Sequence, residues 1–299
     1  MSRAIGRRAL LALGGALLSA GPAGATAVAA KRGNAGRPAP AGARRIGIAL
    51  GAGSARGFAH IGVLQALEEA GISPSVIAGS SAGSLVGVFY ASGFTPWQMQ
   101  DIALKVRDID VADLSTGNKR GMISGRSLQR LVNGFVKDVP IEKMPRQFGA
   151  VSTDLDTGET VVLRQGDAGT AVMSSCSIPG VFIPSTNNGR ELVDGGLTSP
   201  LPVKVARQMG ADYVIAVDVG TQPGQSQRSG LYEIILQSFE IMVRSIARLE
   251  GQTADLLIRP DTQRFASADF SVRKELIEAG YLAGKRALPQ IKKDLGLPA

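Results

Sequence analysis

Residues 46–91 read IGIALGAGSARGFAHIGVLQALEEAGISPSVIAGSSAGSLVGVFYA, and the fold follows from this stretch. Ile46–Leu50 is a short apolar run, too short for a helix and bounded by glycine, so it predicts a strand. Arg56–Ala70 carries Phe58, Ile61, Leu64 and Leu67 at three-residue steps on one helix face and ends at Gly71. A second strand at Val76–Ala78 and a second helix at Ser81–Ala91 repeat the alternation. Further helices are expected at 95–106, 126–137, 202–209, 230–249 and 272–284, and further strands at 148–153, 160–164, 191–194, 213–219 and 255–259. Strands alternating with helices of this length predict a mainly parallel sheet with both faces covered. No internal repeat or long linker interrupts 46–290, which reads as one α/β domain.

The N-terminus has a different character. Arg3, Arg7 and Arg8 precede an Ala/Leu/Gly run over 9–20, then Pro22 and the small residues 25–30, the order of regions in a secretory signal. Gly14, Gly15, Gly21 and Pro22 break the run below the ~20 apolar residues of a membrane span. Residues 1–30 are therefore expected to be a signal peptide and the protein to be exported, periplasmic or secreted, with Arg7-Arg8 permitting a twin-arginine route. The Gly/Pro/Ala-rich residues 31–45 read as a flexible linker. Cleavage near Ala27 or Ala29 would remove three arginines and no acid, lowering the net charge from +8 to +5. Aromatics make up 5% of the chain and do not interleave with arginine, which argues against nucleic acid. The remaining positive charge suits peripheral contact with an anionic membrane surface, and Lys119, Arg120 and Met122 in the polar stretch 115–126 could present charge and an apolar group to it. A second polar loop is expected at 220–230.

A single Cys and a single His leave too few ligands for a cysteine- or histidine-built metal centre, so no metal or cofactor is expected. Gly79-Ser-Ser-Ala-Gly83 satisfies G-x-S-x-G with Ser81 at its centre. Such a pentapeptide arises readily by chance in a chain rich in Gly and Ser, but this one sits where a strand meets a helix. There a nucleophile needs a sharp turn with small neighbours, and the helix N-terminus favours developing negative charge. Gly51-Ala-Gly-Ser-Ala-Arg-Gly57 fails as a dinucleotide fingerprint because Arg56 stands where glycine is required, and it lacks the Gly-Lys-Ser/Thr of a P-loop. It remains a loop of exposed backbone N–H groups, and Gly53 and Ser54 together with Ala82 are the candidate oxyanion donors. Arg56 either shapes this loop or pairs with an anionic headgroup.

The only imidazole, His60, lies in line with Leu64 and Leu67 and so faces the core, and it precedes the serine, contrary to the order in nucleophile-elbow hydrolases. The base must then be a carboxylate or a lysine. Asp194, at the end of a strand-like Glu191–Val193 and followed by two glycines, has a suitable setting; Asp154 and Asp218 compete with it. Cys176 reads as a small packed residue.

The glycine loop with Phe58-Ala-His-Ile-Gly-Val-Leu64, then Gly79–Gly83, Ser174-Ser-Cys-Ser-Ile-Pro-Gly180 and Asp194-Gly-Gly196, resembles the patatin-like phospholipase family, in particular its bacterial esterase branch, related to the neuropathy target esterase catalytic domain. The likeness runs over about residues 46–220. It implies a three-layer α/β/α sandwich and a Ser81–Asp194 dyad acting on phospholipids or other lipid acyl esters through an acyl-enzyme. Ala52 and Ser54 depart from the family's usual run of glycines and would alter the width of the hole. An acyltransferase or thioesterase would share the nucleophile, and a non-catalytic exported interaction protein would share the fold. Acyl-chain length, headgroup preference and oligomeric state are not encoded in these motifs.

Overall fold

The structure, a computed structural model, describes residues 44–107, 113, 120–220 and 230–298. The expected signal peptide, residues 31–43 of the linker, Lys119 with the start of its loop, and residues 221–229 lie outside the described residues.

The chain enters through β1 (Ile46–Leu50), a 3-10 turn (Ser54–Gly57) and α1 (Phe58–Glu69), then β2 (Val76–Ser80) and α2 (Ala82–Ala91). Next come α3 (Pro96–Lys105), α4 (Arg126–Val136), the hairpin β3 (Gln147–Asp154) and β4 (Thr160–Leu163), and α5 (Ala168–Ser175). A second hairpin, β5 (Ser185–Asn187) and β6 (Arg190–Asp194), leads to α6 (Val203–Gln208), β7 (Tyr213–Val217), α7 (Leu231–Gly251), β8 (Leu256–Ile258) and α8 (Arg273–Leu295). The strands form one eight-stranded sheet in which hydrogen-bonded neighbours run β5-β6-β3-β2-β1-β7-β8, β6 and β2 taking successive stretches of β3, with β4 also paired to β3. The pairings from β3 through β2, β1 and β7 to β8 are parallel. Those of β4 and β6 with β3, and of β5 with β6, are antiparallel.

The strands are apolar throughout because successive side chains serve opposite layers. Ile48, Leu50, Ile77, Phe148, Ile215 and Val217 pack with α1 to α5 and α8. Their neighbours Ala49, Val76, Ala78, Val151, Val214 and Ala216 pack with α6 and Ala247 of α7. The result is the expected α/β/α layering with a mainly parallel sheet.

Three local expectations differ. The first helix begins at Phe58 rather than Arg56, because Ser54 takes a φ of +52° and the preceding turn is 3-10. α5 and β5 were not foreseen; both are short and lack a long apolar period. The last helix continues past 284 and past the expected domain end at 290, through Pro289 to Leu295. Leu288 and Ile291 extend its buried face, and that packing outweighs the one backbone hydrogen bond lost at proline.

Candidate active site

Ser81 lies between β2 and α2 with φ 52° and ψ −123°, a conformation costing a non-glycine residue roughly 1–3 kcal/mol. Surrounding groups hold it there. The Ser81 N–H donates to Ser175 Oγ (3.0 Å), whose own hydroxyl donates to the Val151 carbonyl (2.5 Å), and the Ser84 hydroxyl donates to the Ser81 carbonyl (2.7 Å). The helix also starts against the end of β1: a Cβ on Gly83 would stand 2.0 Å from the Leu50 carbonyl oxygen, so only glycine fits.

β3 brings Asp194 to this turn. Ala150 and Val151 pair with β2 and β4, while Ser152 and Thr153 pair with β4 and β6. A strand has two edges, so β2 and the antiparallel β6 run along the same edge of β3 and meet end to end. Ser80 is opposite Val151 and Asp194 is opposite Ser152, adjacent register positions. Gly195 permits the crowding, since a Cβ there would lie 2.1 Å from the Val151 carbonyl oxygen.

Asp194 is 5% exposed, and burial pushes its pKa up to about 6, with the Ser81 hydroxyl and the Gly196 N–H opposing that rise. Oδ1 accepts from Gly196 N–H at 2.7 Å. The Ser81 hydroxyl approaches the carboxyl closely enough to affect its titration without a hydrogen bond of regular geometry, and Oδ2 has no partner among the described residues. Catalytic hydrogen bonds are often loose before substrate arrives. Cys176 Sγ lies 3.9 Å from Ser84 Oγ; burial, then the Asp194 charge, push its thiol up to about 12, so it stays protonated.

The glycine loop is fixed by most of its own amides. Gly51 N–H donates to Val217, Ala52 to Pro200, Ala55 to Ser267 and Arg56 to Gly53. The N–H groups of Gly53, Ser54 and Ala82 have no acceptor among the described residues. The 3-10 turn packs on the start of α2, where a Cβ on Gly57 would stand 2.5 Å from Ala82 Cβ. Unpartnered amides beside a helix N-terminus can stabilise a developing oxyanion.

His60 is fully buried with Nε2 2.8 Å from the Gly51 carbonyl, and burial lowers its pKa to about 4. A neutral ring donating to that oxygen ties α1 to the loop. Arg56 is 4% exposed and donates through Nε to the Phe265 carbonyl (3.0 Å), which favours its loop-shaping alternative over contact with a headgroup. Glu250, at the end of α7, accepts from Leu201 N–H (2.8 Å) and from the Ser199 hydroxyl. It thereby anchors the turn whose Pro200 carbonyl receives the Ala52 N–H. Sequence gave no sign of this role, because one acid near a helix end resembles any surface glutamate. Ser175 lay within a motif noted above, but its bridge depends on the approach of β3.

The competing acids are engaged elsewhere. Asp154 caps the β3–β4 turn through the N–H groups of Asp156 and Thr157 (both 3.0 Å), and Asp218 pairs with Arg259 (3.2 Å). In the 115–126 stretch, Arg120 forms a two-point ion pair with Glu191 (2.7 and 2.5 Å), and the Met122 N–H donates to Val181, so these residues are tied to the protein. Among the described residues no group of three or more His, Cys, Asp or Glu is arranged to hold a metal ion.

A doubly covered parallel sheet with a serine in a strained strand-to-helix turn and a buried carboxyl beside it defines an α/β protein of nucleophile-elbow type. A family model for patatin-like phospholipases matches residues 48–207, more than half of the chain, and the protein belongs to that family. It is 35% identical over 226 residues to an uncharacterised NTE family protein of Mycobacterium tuberculosis, covering 71% of this chain and 61% of that one. It is 29% identical over 291 residues to Lysophospholipase NTE1 of Coccidioides immitis, covering 85% of this chain and 18% of that one. The chain thus spans about three fifths of the mycobacterial relative and about a fifth of the fungal one. The crystal structure of VipD from Legionella pneumophila matches with a TM-score of 0.59 at 14% identity, over 83% of this chain and 67% of that one, a likeness of fold.

Proposed function

We propose that the protein is a serine lipid acyl hydrolase working through a Ser81–Asp194 dyad. The observation that carries this is Ser81 held at positive φ beside a buried carboxyl with an unpartnered oxygen. Asp194 Oδ2 accepts the Ser81 hydroxyl proton as Oγ attacks the acyl carbonyl. The N–H groups of Gly53, Ser54 and Ala82 stabilise the oxyanion, each donor being worth about 3 kcal/mol of barrier. The tetrahedral intermediate expels the alcohol, which takes the proton from Asp194. Water activated by the same carboxylate then releases the fatty acid and frees Ser81. A base with a pKa near 6 is ionised at pH 7 yet basic enough to take part.

The substrate class, phospholipids or other acyl-ester lipids, rests on family membership and on the name of the fungal relative. The leader motif and the net positive charge support an exported protein acting at an anionic membrane surface. The deciding experiment is incubation with phospholipids, lysophospholipids and short acyl esters in parallel, with products separated by mass, alongside labelling by a fluorophosphonate. Fatty-acid release and a single adduct on Ser81 are expected. A folded sample that neither releases fatty acid nor labels would rule the hydrolase out.

A further inference from the structure

α7 presents two faces of opposite use. Its inner face meets the candidate site: Val243 approaches Gly196, Glu240 interacts electrostatically with Arg56, and Glu250 anchors the Ser199–Leu201 turn. Its outer face carries Leu231, Ile234, Ile235, Ile241, Met242 and Leu249, each between 45% and 75% exposed. At helical spacing these residues form one stripe about 27 Å long, with on the order of 500 Å² of apolar surface, near the upper end for a monomer.

Ser238 and Ser245 fall within the stripe, and each hydroxyl donates to the carbonyl four residues earlier, Ile234 (2.9 Å) and Ile241 (3.0 Å). Hydroxyls satisfied by their own helix can enter an apolar medium without an unpaired donor. Arg244 and Arg248 border the stripe on one side; Glu233 and Glu240 follow beyond them by helical spacing, Glu240 interacting with Arg56, and Glu250 belongs to the inner face. An apolar centre with a basic edge matches an interfacial helix lying on anionic lipid. No helix among the described residues, α7 included, is long and apolar enough to cross a membrane.

We infer that the outer face of α7 docks the protein on an anionic lipid bilayer, setting the proposed dyad one helix diameter, about 10 Å, from the lipid surface. This deepens the hydrolase proposal by naming the face that meets the substrate's membrane, and its test is independent of turnover.

The test is flotation of the full chain carrying Ser81→Ala with phosphatidylcholine vesicles containing about 30% phosphatidylglycerol. Binding is expected, weakened at least tenfold by Ile235→Glu/Met242→Glu and kept within about twofold by Ile235→Leu/Met242→Leu. Arg248→Glu should reduce the preference for anionic over neutral vesicles. Equal flotation of the glutamate variant and its parent would overturn the proposal. So would failure of the parent to bind, or a dimer in sedimentation equilibrium that the glutamate substitutions dissociate without any vesicle binding. If the glutamate variant does not fold, Met242→Trp in a Trp97→Phe background reads the same contact: a blue shift with vesicles supports it and an unchanged spectrum refutes it. Absence of ester hydrolysis by the wild type would remove the hydrolase proposal and leave the binding result intact.

Discussion

At the residue scale, the proposed mechanism depends on two side chains with different requirements. Ser81 must reach forward from a strained turn, whereas Asp194 must stay buried and still ionise. Ser81→Ala and Asp194→Asn should each lower kcat by about 10³-fold or more with the fold retained, as measured by ester hydrolysis and circular dichroism. Near-native turnover by either variant would exclude that residue from the chemistry. Because Asp194 must be ionised to accept a proton, kcat/KM should fall on the acid side with an apparent pKa near 6. Cys176, although adjacent, holds its proton throughout this range, so thiol reagents are expected to act by steric blockage at most.

At the element scale, the joints of β2, β3, β6 and α2 bring the two residues of the proposed dyad together. Ser175→Ala strands the Ser81 N–H and the Val151 carbonyl, which should cost about 1–3 kcal/mol in denaturant unfolding and lower kcat by loosening the turn. Gly83→Ala drives a Cβ into the Leu50 carbonyl and should cost more than about 4 kcal/mol or prevent folding. The glycine loop and all the strands and helices except α5 and β5 were legible because they rest on local patterns such as Phe58, Ile61, Leu64 and Leu67 on one face of α1. The joints were not. Nothing near Asp194 in sequence says that β6 continues the edge line of β2, since that follows from two strands sharing one edge of β3.

At the scale of the whole molecule, stability and activity should respond to pH in opposite directions at the site. Burial raises Asp194 to about 6 and Glu250 to about 7, so both carboxyls favour the folded state below their ordinary values near 4. That contribution is lost as pH rises through about 6 and about 7, the range over which the proposed base ionises. His60, lowered to about 4, works the other way: its contribution is lost as pH falls from about 6.5 to 4. Substitution separates the terms. Thermal unfolding of Glu250→Gln should show a gain over wild type that grows from pH 5 to pH 8; a constant difference would mean that Glu250 is not destabilised by its burial. The sequence by itself determined the alternating α/β pattern, the serine turn, the glycine loop and the core placement of His60, all of which follow from spacing within one segment. Only the tertiary structure decided how Asp194 comes to lie beside Ser81, which amides remain unpartnered among the described residues, what Glu250 and Ser175 hold, and which face of α7 is left apolar. The physical reason is that each depends on groups far apart in the chain competing for the same partners, and that competition is resolved by strand pairing and packing.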